Sequence, residues 1–113
     1  MNKILSDAYD YAIRLGISPS LTGFHYFAQA VVEYVTRDDL TPLEEVCEKI
    51  GKRYSTQTNT VMHAISYALK TAKNVCEKIY EYTGDKATVV DVRPKFVICL
   101  IAQNVRHDQA EFA

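Results

Sequence analysis

Apolar residues recur every three to four positions along the first third of the chain, which is the spacing of a buried helix face. One run predicts a helix over residues 3–15, ended by Gly16, whose missing side chain suits a left-handed stop. A longer and more apolar run predicts a second helix over residues 21–36. This second helix is apolar enough to be the central packing element of the fold.

Two further helices are predicted in the middle of the chain, separated by a short polar turn. The third helix begins with Pro42 at its first position, is capped by Thr41 and ends near Tyr54, which is expected in the core. Thr56 or Thr58 is the expected cap of the fourth helix. The fourth helix carries an inward stripe at helical spacing that consists of Val61, Ala64, Ile65, Ala68, Leu69 and Ala72.

The spacing of small and apolar residues over 42–73 is that of a helix-turn-helix, although many helical hairpins with no nucleic-acid role share it. Gly51 lies where the second helix of such a motif crosses the first closely. DNA-binding proteins place that second helix in the major groove, where its outward side chains contact bases and flanking cations contact phosphates. The residues expected to face DNA are Lys52, Arg53, Thr56, Gln57, Thr58, Asn59, Thr60, Met62, His63, Ser66, Tyr67, Lys70 and Lys73.

The last third of the chain is less sharply patterned. Residues 74–83 keep helical spacing, so they either continue the fourth helix or form a separate one. Residues 84–93 are β-branched and rich in turn formers, which favours an ordered loop or a short extended piece. Pro94 then starts a last helix that is expected to be buried almost all round. The prediction is one all-α domain over 1–113, with five or six helices and a helix-turn-helix.

Composition and cysteine use narrow the class of protein. The chain has 113 residues, of which 48% are hydrophobic and 24% charged, and no run approaches the roughly 20 apolar residues of a membrane span. Acids stand where a signal peptide has its apolar stretch, so a cytoplasmic protein is expected, and Met1 favours a standalone one. Cys47, Cys76 and Cys99 are interpreted as reduced core residues. With no triad spacing and no phosphate loop, neither an enzyme nor a cofactor is expected.

Charge is unevenly distributed along the chain. The net charge is −1, but residues 1–48 carry three bases and eight acids, whereas residues 49–73 carry five bases and no acid. Nucleic-acid-binding surfaces are typically basic, because phosphate contacts supply much of their affinity. The acid-free segment coincides with the turn and the fourth helix, which favours DNA binding there. A chance gap of acids along a solvated face is the alternative.

Motifs along most of the chain resemble one known family. They are LGISPSLTGFHYFAQAVVEYV over 15–35, IGKRYSTQTNTVMHAISYALKTA over 50–72 and RPKFVICLIAQNVR over 93–106. Together they are similar to the C-terminal DNA-binding effector domain of Spo0A, the response regulator of sporulation. The resemblance implies an all-helical domain that binds short, often tandem promoter elements in double-stranded DNA and engages RNA polymerase. The tandem sites of that family imply association on DNA, and a monomer in solution with no membrane partner is expected.

The side chains with which that family reads DNA are replaced in this chain. Members carry an Arg-x-Glu-Arg cluster on the recognition helix, and the aligned residues here are Thr60, Met62 and His63; a further arginine and a histidine become Ser66 and Tyr67. Neither Thr nor Met can replace the paired hydrogen bonds of arginine to guanine, so the sequence specificity is expected to be altered. The alternative is a degenerate domain that binds protein, such as a full-length relative or polymerase, through Met62, His63 and Tyr67.

Overall fold

The computed structural model describes residues 2–86 and 92–111, and over these ranges the chain forms six α-helices and no strand. The helices are α1 (Lys3–Arg14), α2 (Thr22–Thr36), α3 (Leu43–Arg53), α4 (Thr58–Thr71), α5 (Val75–Thr83) and α6 (Pro94–Glu111). The predicted all-α class is confirmed. The loop or extended piece expected over 84–93 has its centre, residues 87–91, outside the described residues.

The central element is α2, which contacts α1, α3, α4 and α6. Its buried residues are Gly23, Phe24, Tyr26, Phe27, Ala28, Ala30, Val31 and Tyr34. These positions cover most of the circumference of the helix, and a helix that is apolar on several sides has to be covered by neighbours on several sides. The predicted role of α2 as the main packing element is therefore confirmed.

The first and last helices meet across the core. The hydroxyl of Tyr11 on α1 donates a hydrogen bond of 2.6 Å to the carboxylate of Asp108 on α6, although the two residues are 97 positions apart. Burial, followed by this hydrogen bond, raises the pKa of Tyr11. A second bond of 3.0 Å runs from the amide of Gln109 to the carboxylate of Asp7. These polar contacts join α1 to α6 beside the apolar packing.

Burial of α6 is one-sided, so the expectation of a helix buried almost all round is wrong. Its core residues are Val97, Ile98, Ile101, Ala102 and Val105. Phe96 is about half exposed and Gln103 is exposed, whereas Cys99 and Leu100 are half-buried. In the described ranges α6 packs on α1, α2 and α4, and these neighbours cover one side of it.

A separate α5 settles the ambiguity of residues 74–83. Ala72 takes an extended backbone with a ψ of 140° and ends α4. The N–H of Asn74 then donates to the carbonyl of Leu15 at 3.0 Å, so the break is tied to the end of α1. Gly16 has the predicted left-handed backbone, with a φ of +84°, and a Cβ there would lie 2.9 Å from the backbone nitrogen of Lys73. The close approach of the chain at Gly16 to the chain at Lys73 therefore determines where α4 ends and α5 begins.

Two predicted helix caps are wrong by one residue. Pro42 is the N-cap of α3, and Gln57 is the N-cap of α4; neither makes a side-chain capping bond. Both residues have an extended backbone, with ψ of 141° and 151° respectively, so α3 begins at Leu43 and α4 begins at Thr58. The N-cap is the last non-helical residue before a helix. Thr58 therefore lies inside α4, and Thr41 and Thr56 each precede an N-cap by one residue.

Candidate nucleic-acid interface

A tight turn of residues 54–57 joins α3 to α4, and we call these three elements the α3–turn–α4 unit. The N–H of Thr56 donates to the carbonyl of Gly51 at 2.8 Å, and Ser55 adopts a left-handed φ of 55°. A Cβ on Gly51 would lie 2.7 Å from the carbonyl oxygen of Thr56. The small residue predicted at this position is therefore required by the turn itself.

The inward face of α4 matches the predicted stripe. Val61, Ile65, Ala68 and Leu69 are buried, and Ala64 and Ala72 are partly buried against the core. The closest approach is to Gly23 on α2, where a Cβ would overlap the carbonyl oxygen of Ala64 and lie 2.8 Å from the Cβ of Ala68. Contact between the two helix backbones fixes the rotation of α4 about its axis. That rotation decides which side chains face outward.

Six of the residues predicted to contact DNA form a continuous exposed surface along α4, which we call the outward strip. They are Asn59, Thr60, His63, Ser66, Tyr67 and Lys70. Their spacing of three and four residues places them side by side on one helix face. Thr58 and Met62 are partly buried at the edge of this strip. The strip contains hydrogen-bonding groups and one cation, and no carboxylate.

The two turn residues in the predicted set lie before the first turn of α4. Gln57 is exposed, whereas Thr56 is half-buried, with its N–H committed to the carbonyl of Gly51. Thr56 therefore shapes the turn, and Gln57 extends the exposed polar surface toward α3.

The cations at the end of α3 are engaged in ion pairs. Lys49 Nζ lies 2.9 Å from Glu33 Oε1, and Arg53 Nη2 lies 3.7 Å from Glu33 Oε2. Lys52 pairs with Glu48 at 3.2 Å within α3. The segment 49–73 is free of acids in sequence, but both carboxylates come from outside it. The predicted phosphate contacts Lys52 and Arg53 thus already have anionic partners.

Sequence reasoning missed Glu33, which lies on α2 with only 12% of its side chain exposed. Besides Lys49 and Arg53 it accepts a hydrogen bond of 3.3 Å from Arg37 Nε. Burial by itself raises the pKa of Glu33, but the hydrogen bonds and charges of Lys49 and Arg37 outweigh it and hold that pKa below its ordinary value. The available signal was that Glu33 is the only Asp, Glu, Lys or Arg in α2.

Tyr54 is 46% exposed, so its expected place in the core is wrong. Its hydroxyl accepts a hydrogen bond of 2.9 Å from the amide of Gln29, and its ring centroid lies 5.6 Å from that of Tyr26. Gln29 also accepts a hydrogen bond from Arg53. Tyr54 directly follows the last residue of α3. Its ring lies beside α2, and its hydroxyl bonds the side chain of Gln29 on that helix.

Lys70 and Lys73, near the other end of α4, are exposed and lie within ion-pair distance of no carboxylate in the described part of the chain. Lys70 ends the outward strip, and Lys73 follows in the break before α5. The five cations of segment 49–73 therefore divide into three that are paired and two that are available to an external anion.

The three cysteines lie in different environments, and only one of them is buried in the core as predicted. All three are free thiols, but only Cys47 is buried, and burial raises the pKa of its thiol to about 11. Cys76 and Cys99 are half-buried, so their placement in the core is wrong. Residues 2–86 and 92–111 contain no group of three or more His, Cys, Asp or Glu side chains that could hold a metal ion. No helix in these ranges is long and apolar enough to cross a membrane.

No family model, curated protein or solved structure matches this chain. The likeness to the Spo0A effector domain therefore stands on the sequence motifs alone.

Proposed function

We propose that this chain is a DNA-binding transcriptional regulator that resembles the Spo0A effector domain and has an altered sequence specificity. In this proposal the α3–turn–α4 unit is a helix-turn-helix and α4 is its recognition helix. The chain acts in the cytoplasm, as a monomer that associates on tandem sites in double-stranded DNA. The observation that carries the proposal is the outward strip, a helix face rich in hydrogen-bonding groups and lacking carboxylates.

The chemistry of the outward strip suits the edges of bases. An α-helix fits the major groove, where asparagine bonds adenine through two hydrogen bonds and hydroxyl groups bond several bases. Asn59 and Thr60 lie in the first turn of α4, and His63 lies one turn further along the same face. Because arginine is absent from these positions, the preferred site is expected to differ from the short promoter elements of the Spo0A family.

Cations flank this strip at both ends. Lys70 ends the strip and Lys73 follows α4, whereas Lys52 lies in the last turn of α3, before the turn that leads into α4. The pair between Lys52 and Glu48 is solvent-exposed, with side-chain exposures of 78% and 56%, and such pairs exchange readily with solvent and other anions. Phosphates on either side of the groove would therefore find partners.

Fluorescence anisotropy of the purified chain tests the proposal, with one duplex that carries a Spo0A-type promoter element and one of random sequence. We expect an affinity that falls with salt, with a log–log slope of about 0.9 for each phosphate contact. The double variant Lys70→Ala, Lys73→Ala should weaken binding to both duplexes alike and reduce that slope by about one to two. Lys3→Ala, which removes a charge from α1, is the matched control and should change neither quantity.

Substitutions in the outward strip test the reading of bases. Asn59→Ala and His63→Ala should each change the preference among duplexes by about 1–3 kcal/mol, because a base contact discriminates between sequences whereas a phosphate contact does not. A selection of random duplexes with wild type and with each variant measures that preference. Absence of binding to any duplex at low salt would contradict the proposal.

A second candidate function is a protein-interaction module, which is favoured by the exposed ring of Tyr67. This ring is 58% exposed in the middle of the outward strip, with the partly buried Met62 nearby on α4. Tyrosine and methionine are enriched at protein interfaces. The partner would be RNA polymerase or a full-length relative of the chain. Capture of purified polymerase that is lost in Tyr67→Ala, together with no binding to DNA, would favour this function over the first.

A further inference from the structure

Three cations converge on the single carboxylate of Glu33. Lys49, Arg37 and Arg53 lie 2.9, 3.3 and 3.7 Å from its oxygens. The carboxylate is shielded, whereas the side chains of Lys49 and Arg53 are 49% and 40% exposed. The two cations of α3 thus extend from solvent toward an anion on α2.

A DNA phosphate and the carboxylate of Glu33 are chemically similar partners for these cations. Both are oxyanions that accept charge-assisted hydrogen bonds from ammonium and guanidinium groups. An N–H that donates to Glu33 is unavailable to a phosphate until the bond is broken.

We propose that Glu33 is an intramolecular counter-anion that restrains Lys49 and Arg53 from contacting phosphates, so that DNA and Glu33 compete for the same cations. This inference rests on the proposed DNA-binding function and adds its regulation. Arg53 is the last residue of α3, immediately before the turn that leads into α4. Gln29 accepts a second hydrogen bond from Arg53 and adds to the restraint. Lys70 and Lys73 have no such competitor in the described residues.

Glu33→Gln tests the restraint, because glutamine keeps the shape of the side chain and removes its charge. Anisotropy should show about three- to ten-fold tighter binding to every duplex, with a salt slope steeper by about one to two as the freed cations contact phosphates. Glu81→Gln is the matched control. It removes the same charge from an exposed pair with Lys78 on α5, and it should change the affinity less than about two-fold.

The double variant Lys49→Ala, Arg53→Ala separates restraint from positioning. If Glu33 restrains the two cations, their removal changes DNA affinity less than about two-fold in the wild-type background and about ten-fold in Glu33→Gln. If Glu33 instead aims them at phosphates, their removal costs most in the wild-type background, and the inference is overturned. A loss of more than about two-fold in the wild-type background overturns the inference even if Glu33→Gln fails to fold, as judged by circular dichroism.

The outcomes separate this inference from the function on which it rests. Duplex binding that responds to Asn59→Ala but is unchanged or weakened by Glu33→Gln overturns the restraint and leaves the DNA-binding function standing. Absence of binding by both wild type and Glu33→Gln overturns both. Binding by wild type that tightens in Glu33→Gln, and whose preference among duplexes changes when Asn59→Ala is added, supports both.

Discussion

The α3–turn–α4 unit is attached to α2 in two places by different forces. At α4, Gly23 lets the two backbones approach until the carbonyl of Ala64 occupies the space of a side chain. At the end of α3, Glu33 holds Lys49 and Arg53 by charge. Close packing between two helix backbones cannot be replaced by contacts with water. A partly exposed ion pair, in contrast, can exchange its partner for water, salt or another anion. One attachment fixes the position of α4, and the other is exchangeable.

The difference shows how one surface can combine a helix held in a fixed position with cations whose ion pairs are exchangeable. A helix that reads bases, as we propose for α4, has to present its side chains in one orientation, and the contact at Gly23 fixes that orientation. The Glu33 cluster holds its cations by ion pairs that another anion can replace. The following three expectations test this contrast, beginning with the largest effect.

Gly23→Ala should destabilise the fold by about 3 kcal/mol, because the added Cβ meets the backbone of α4 and neither helix can move without disturbing the core. Urea unfolding measures the change. The control is Gly84→Ala, where φ is +79° and no atom lies within 4 Å of the added Cβ, so the loss should be only about 1 kcal/mol. Equal losses in the two variants would contradict the close approach of α2 and α4.

Glu33→Gln should cost only about 1 kcal/mol of stability at neutral pH, as expected for a partly exposed ion pair. The pKa of Glu33 is lowered in the fold, so its contribution is present above the ordinary pKa of glutamate and is lost as the pH falls through the folded value. The stability gap between wild type and Glu33→Gln should therefore be constant above the ordinary pKa of glutamate, about 4.3, and should close as the pH falls below it. Urea unfolding across this range measures it, and a gap that stays constant would show that the charge of Glu33 is not the cause.

Salt should have the smallest effect. Raising sodium chloride from about 0.05 M to 0.5 M should narrow the stability gap of Glu33→Gln by a few tenths of a kcal/mol, because ions screen exposed charges. The gap of Gly23→Ala should be unchanged under the same conditions, since steric overlap is insensitive to ionic strength. Parallel unfolding curves at the two salt concentrations provide the comparison, and a salt-sensitive gap at Gly23 would remove the distinction between the two attachments.

Most of the helices could be predicted because their apolar stripes are wide and regular. The inward stripe of α4 and the strongly apolar character of α2 follow from spacing alone, and the structure confirms both. The break before α5 could not be predicted, because it depends on the contact of Asn74 with Leu15 at the end of α1. The caps were predicted one residue away from their positions. The turn determines which residue is the last extended one, as at Gln57, whereas the prediction followed the side chain best able to form a capping bond.

The outward strip could likewise be predicted, since a helix with a known inner face has a known outer face. Glu33 could not, because a count of charges along the chain compares neighbours in sequence, while this carboxylate reaches α3 from α2. Tyr54 was misjudged for a related reason. Its partner Gln29 lies on another helix, and an aromatic residue at the end of a helix does not show in the sequence whether it points inward.

The contact of α1 with α6 has a consequence for the newborn chain. Synthesis proceeds from α1, so α6 is the last of the described helices to leave the ribosome, and one apolar side of α2 stays uncovered until then. The hydrogen bond between Tyr11 and Asp108 forms only at that late stage. Contacts between distant segments delay folding and leave apolar surface exposed to aggregation and chaperones. Among the described helices, α6 is therefore the last to cover its side of α2.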